Sequence, residues 1–284
     1  MELREAIGNR RSMRFLLPHK PVERDKIQRM LEAANLASFW GNVQALKAVV
    51  IERATAPKEV IDAIPPGSAI AGFQLRLAPV LIIWWLDWSL LAVQGDRLHE
   101  LVDAGAVGVD QEQSHRYLKE TLVPFFQAGM DNIRLGGMTE MDCGQGIAQA
   151  TLVAFEQGLG TCLIGMPAQK KLKRVLGLPK DSKILVVQTV GYPAESPEAG
   201  GQRPRLPFET KFFLNKVGQP FPEDPDVIEG LKRDKMLQAP APLPWRRAEL
   251  AFLARALEIS PIFGDEVGEM MQHLATDMAD TTES

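Results

Sequence analysis

The 284 residues include only two cysteines, two tyrosines and four histidines. Cys143 and Cys162 form no CxxC pair and no disulfide framework, which points away from a secreted, disulfide-stapled scaffold. His19, His99, His115 and His273 are scattered without the spacing of a metal site, so no metal is expected; His99-Glu100 with Asp103 reads as a solvated helix face. No apolar run approaches the ~20 residues of a spanning helix, and the longest, Ala78 to Leu86, is strand-sized. No membrane partner is therefore expected. The start, Met1-Glu2-Leu3-Arg4-Glu5, lacks the apolar stretch of a secretory signal, and the expected address is cytoplasmic. A phosphate-binding GxxxxGK[ST] loop and a GxSxG nucleophile turn are both missing. Gly144-Gln145-Gly146-Ile147-Ala148-Gln149 falls short of the dinucleotide fingerprint: the third glycine is absent and no strand precedes it.

Charge of either sign is also scarce in excess. The formal net charge is −4, but 13 acidic and 6 basic residues lie from Val217 onward, leaving 23 acidic and 26 basic before it. A core of about +3 suits anionic cofactors and is far short of a nucleic-acid binder.

What is present is a dense run, Arg10-Arg11-Ser12-Met13-Arg14, with three guanidiniums and a hydroxyl in five residues. Guanidiniums make bidentate, charge-assisted hydrogen bonds to phosphate oxygens, and serine adds a neutral donor. The same arginines would equally serve as a solvated face pairing with Glu2, Glu5 and Glu32. A second basic pair, Arg203-Pro204-Arg205, follows much later. Asn42 and Gln44 sit between a helix and a strand, where their amides could donate to and accept from one polar ligand edge or simply satisfy loop backbone.

Periodicity predicts helices over 24–37, 57–64, 111–135 and from 138 to about 157, and another starting at Pro167. Strands are predicted over 45–52, 79–86, 161–166 and 184–192, the second buried on both faces. Helices and strands are interspersed without regular alternation, so the fold class expected is α+β, helices covering a mostly antiparallel sheet. Past residue 215 prolines and acidic residues mark an extension, 216–284, with a Pro240-Ala241-Pro242-Leu243-Pro244 spacer. Two amphipathic helices are predicted there, one carrying Leu250, Leu253 and Leu257, the other Val267, Met270, Met271, Leu274 and Met278. They could dock on their own core, on a partner subunit, or on another protein.

In order, the Arg-Arg-Ser-x-Arg start, Asn-x-Gln before a strand, Gly158-Leu159-Gly160 leading to Ile164-Gly165, the Gly191-Tyr192-Pro193 strand exit and the late Arg-x-Arg resemble the FMN-dependent nitroreductase family over roughly 1–215. The resemblance implies a sandwich built as an intertwined homodimer. It also implies FMN as cofactor, NADH or NADPH as donor, and ping-pong reduction of a small acceptor, aromatic, quinone or nitro in kind. Arg10, Arg11, Ser12, Arg203 and Arg205 are the candidates for the phosphate. Arg14 would lie near flavin N1 and O2, and Ile164 and Gly165 near N5. Asn42 and Gln44 suit the pyrimidine edge. The segment would reach the flavin from the neighbouring subunit, so that Ser38, Phe39 and Trp40 line a shared pocket. The chain departs from the family at Ala45-Leu46, where Pro-Trp is usual, and at Phe39-Trp40, where small residues are usual; these bear on the acceptor. Relatives on this scaffold that consume flavin, dehydrogenate or dehalogenate, and a non-catalytic flavin-binding or interaction protein, are the alternatives.

Overall fold

A computed structural model describes residues 1–65, 72–166 and 169–259. Four strands, β1 (Leu46–Glu52), β2 (Val80–Asp87), β3 (Gly160–Ile164) and β4 (Ser182–Gly191), form one sheet in the order β1-β2-β4-β3. Every pairing is antiparallel, with a bulge at Trp84/Trp85. Side chains alternate between faces along a strand, and β2 shows why it reads as continuously apolar. Leu81 and Ile83 enter one core with Met13, Cys162, Ile164 and Leu172. Val80, Ile82 and Trp84 enter the other with Ile27, Met30, Ile147 and Ala150.

The second core is closed by the helices Arg24–Asn35 and Met138–Glu156. They approach closely because Gly146 has no side chain: a Cβ there would lie 2.8 Å from Leu46 and 3.0 Å from the Ala34 carbonyl. The Gly144–Gln149 near-fingerprint falls inside this long helix, away from any helix N-terminus. A buried polar chain crosses the same core. Trp84 Nε1 donates to Gln188 Oε1 at 2.8 Å, Gln188 Nε2 donates to Thr151 Oγ1 at 3.0 Å, and Thr151 donates to the Ile147 carbonyl at 2.7 Å. Gln188→Leu should cost about 1–3 kcal/mol, because the Trp84 indole N–H loses its acceptor in a dry site. Urea unfolding of the variant measures this.

The predicted helix over 111–135 is instead a series: Gln111–Tyr117, a π turn Leu118–Leu122, Val123–Ala128 and Met130–Leu135. The helix Gln94–Asp103, which the periodicity reading passed over, packs against them. His99 and His115, distant in sequence, meet there. Their Nδ1 atoms are 2.6 Å apart, one ring donating to the other, and His115 Nε2 donates to Asp103 Oδ1 at 2.9 Å. The predicted helix start at Pro167 and the stripe from Val267 to Met278 lie outside the described residues.

The extension is laid on the core as far as it is described. Gly8 touches it directly: a Cβ at Gly8 would fall 2.1 Å from the Lys235 carbonyl oxygen. The 240–244 spacer runs beside 200–202, with Ala241 N donating to the Gln202 carbonyl and Leu243 N to the Gly200 carbonyl, each at 2.8 Å. The first predicted amphipathic helix is found at Arg246–Ala256, and its Leu253 is buried against Phe15, Phe73 and Leu77. Among the described residues, no helix is long and apolar enough to cross a membrane.

Candidate functional site

The arginine run leaves the helix Leu3–Asn9 and adds itself to the outer edge of the sheet. Ser12 bridges Thr161 of β3 in parallel, and Met13 N donates to the Thr161 carbonyl at 2.9 Å. Side chains alternate along such an edge, so Arg10, Ser12 and Arg14 share one side while Met13 enters the core, 3% exposed. Gly160 permits the approach, since a Cβ there would lie 2.8 Å from Met13.

Charge accumulates at this edge. Burial first, then Arg205, holds the Arg10 guanidinium below its usual range. Burial, then Arg14 and Arg246, does the same to Arg203. Arg10, Arg14, Arg203 and Arg205 form no salt bridge among the described residues, and none of them pairs with Glu2, Glu5 or Glu32. Crowded guanidiniums without carboxylates repel one another, and an anionic ligand relieves that repulsion. Arg11 differs. It is buried, its guanidinium donates to the Gly8 carbonyl and, at 2.9 Å, to Gln238 Oε1, and it so ties the run to the extension.

Ile164 and Gly165 end β3 two and three residues past Cys162, on the same edge strand as Thr161. Ile164 is buried in the first core. Gly165 is exposed, and a side chain there would meet no atom of the described residues within 4 Å. Nothing in the protein's own packing requires glycine at this point. The donor set and the open strand end together fit a phosphorylated, planar ligand such as FMN.

Ser38 to Gln44 lies elsewhere. The segment leads into β1, the opposite edge strand, and Ser12 is four strand spacings away, roughly 19 Å at about 4.8 Å each. Gly41, Asn42 and Gln44 all have φ of +53°, a left-handed conformation that glutamine rarely adopts. The Gln44 amide donates to Asn42 Oδ1 at 3.1 Å, and Ser38 is exposed. Phe39 and Gln44 line an open cleft of about 480 Å³ with Asn35, Lys47 and Arg97. Trp40 is pinned: its backbone N–H donates to Asp142 at 2.7 Å, its indole N–H to Thr139 at 3.3 Å, and its ring meets Phe126 at 5.7 Å. In one chain the arginine set and the amide pair do not come together.

Two residues absent from the sequence reading shape the site. Glu195 is buried, and its Oε1 accepts from Arg14 N at 2.6 Å and Phe15 N at 3.1 Å. Its Oε2 pairs with Arg246 at 2.6 Å. No local pattern distinguishes either residue among 36 acidic and 32 basic ones.

The cysteines are buried and free. Burial, with Asp142 and Glu140 adding to it, pushes the Cys143 thiol up to about 12. Burial also raises Cys162, against the opposing pull of Arg14 and Ser12. Iodoacetamide at pH 8 should therefore label neither thiol in the native protein and both in urea, as mass spectrometry of the two samples will read.

Comparison with known proteins agrees with this geometry. The family model described as "Nitroreductase family" matches residues 7–87 and 134–192. The insertion between them, and everything from Pro193 on, including Arg203 and Arg205, lies outside the match. No curated protein matches the chain. Among solved structures, a nitroreductase family protein of Streptococcus pneumoniae TIGR4 is 22% identical with a TM-score of 0.58, over 75% of this chain and 100% of its own. A provisionally named nitroreductase of Exiguobacterium sibiricum, solved in complex with FMN, is 22% identical with a TM-score of 0.55, over 73% and 94%. A provisionally named NAD(P)H:FMN oxidoreductase of Staphylococcus epidermidis is 16% identical with a TM-score of 0.59, over 75% and 95%. The matched segments carry the sheet, the helices that close it and the arginine edge, and on these the chain belongs to the nitroreductase family.

Proposed function

We propose that the protein is an FMN-dependent oxidoreductase taking electrons from NADH or NADPH and passing them to a small acceptor, aromatic, quinone or nitro in kind. The observation that carries this reading is the set of four crowded arginines without carboxylate partners beside the open end of β3. Arg10, Ser12, Arg203 and Arg205 would hold the phosphate. Arg14 would set a fixed positive charge against the ring, stabilising negative charge that develops there. Gly165 would leave its backbone N–H accessible where any side chain would intrude. FMN, when bound, supplies the two-electron chemistry; the chain supplies position, charge and exclusion of water.

Asn42 and Gln44 belong to this site only if a second copy brings them. The ~19 Å across one sheet and the strained, outward-facing amides support a homodimer in which each chain completes the other's pocket. Such an interface would be of the obligate kind, exceeding ~2,000 Å². Sedimentation should show a dimer that binds one FMN per chain, and a monomer with full FMN would overturn the arrangement.

Titrating FMN into the purified protein tests the cofactor, and steady-state rates with NADH, NADPH and a quinone or nitroaromatic test the activity. If one pocket receives donor and acceptor in turn, double-reciprocal plots at several acceptor concentrations should be parallel. Intersecting lines would require both to be bound together. A colourless protein that takes up no FMN would remove the reading.

A further inference from the structure

We propose that Arg246 is a positioning residue for the anion site: it holds the Glu195 carboxylate in a buried ion pair and so keeps that carboxylate from neutralising the arginines that would grip a ligand phosphate. The proposal rests on the reading of the arginine edge given above and assigns a task to the extension, which that reading leaves without one.

Glu195 stands directly behind the site. Its side chain is fully buried, and one oxygen accepts the backbone N–H groups of Arg14 and Phe15. It thereby fixes the strand from which the Arg14 side chain departs. A carboxylate in that position needs a cation, because an uncompensated buried charge is strongly unfavourable. The nearest alternatives to Arg246 are the arginines of the site itself. Arg203 feels Glu195 as well as Arg14 and Arg246.

Arg246 is built for the task. Its side chain is only 10% exposed, one nitrogen meets Glu195 Oε2 at 2.6 Å and the other Glu249 Oε2 at 2.6 Å. Glu249 is held in turn by the Ser196 backbone N–H at 2.6 Å. Gly200, at φ +84°, gives the arginine stem its passage: a Cβ there would lie 2.7 Å from both Cγ and Cδ of Arg246. The guanidinium also lies over the Phe15 ring, 6.0 Å from its centroid. With this cation removed, Glu195 and Glu249 would both turn to the remaining positive charge, which is the charge meant for the ligand.

Four proteins decide the matter: the parent, Arg246→Met, Glu195→Gln and the double variant, each titrated with FMN and melted without it. Arg246→Met should weaken FMN binding about tenfold or more and lower Tm. The double variant should recover FMN affinity to within about threefold of the parent, since glutamine can still accept from Arg14 N but carries no charge to compete. Glu195→Gln alone should lower Tm yet bind FMN as tightly as the parent or tighter. A merely structural ion pair would give the opposite: affinity falling with Tm in every variant and no rescue. Should Arg246→Met fail to fold, Glu195→Gln decides by the same opposition of Tm and affinity. Should the parent bind no FMN, the cofactor reading fails instead, and the same four proteins melted with inorganic phosphate still read whether Glu195 competes for the site.

Discussion

Replacing Arg10 and Arg205 together by alanine should weaken FMN binding by about a thousandfold while leaving the unliganded protein as stable as the parent, or slightly more so. Each hydrogen bond to a charged group contributes about 1.5–3 kcal/mol, so two lost phosphate contacts amount to roughly 4 kcal/mol, and every 1.4 kcal/mol is tenfold in affinity. Stability should not follow affinity down. Arg10 is held below its usual value by burial and by Arg205, so the two guanidiniums oppose one another before any ligand arrives. Arg11→Ala is the control with the opposite signature. Its guanidinium bonds to Gly8 and Gln238 inside the fold, so Tm should fall with a smaller change in FMN affinity. Isothermal titration and thermal melts on the three variants separate these outcomes. An unchanged Kd in the double variant would remove the phosphate assignment.

The contrast between Arg10 and Arg11 shows what the sequence could and could not convey. Five residues with three guanidiniums announce an anion site through density alone, but they do not say which side chain turns outward. That depends on the Ser12–Thr161 bridge, a pairing with a strand about 150 residues away, which sets the alternation. Strand β2 was legible because both its faces are buried, and the long helix Met138–Glu156 because its small and apolar residues recur on the face that packs. The region from Gln94 to Leu135 was not. Polar residues dominate its short helices, and the π turn at Leu118–Leu122 shifts their phase, so no single period runs through it. The His99–His115 contact arises from that packing and has no trace in spacing. The Glu195–Arg246 pair was invisible for the same reason: a buried ion pair is a long-range fact, and its two members look like any other charged residues until the fold joins them.

Deleting the chain from Pro240 onward should unfold the protein or leave it aggregating, rather than merely trim an appendage. From composition alone the extension carries no part of the candidate site, and FMN binding would be expected to survive its loss. The packing argues otherwise. Removing Leu253 uncovers Phe15, Phe73 and Leu77, at a cost of about 1.5–3 kcal/mol for that side chain alone. Removing Arg246 leaves Glu195 buried without its cation, a loss of roughly 3–5 kcal/mol. The sum rivals the ~5–15 kcal/mol that stabilises a whole domain. Both losses also fall on the segment Arg14–Phe15, so whatever structure survives should have lost its grip on the phosphate first. Circular dichroism melts of the truncated chain, beside Leu253→Ala in the full chain, measure the two contributions. A truncated protein that melts as the parent does and retains FMN would show that Glu195 finds another cation within 1–239, and Arg203, already within its electrostatic reach, is where that cation should be sought.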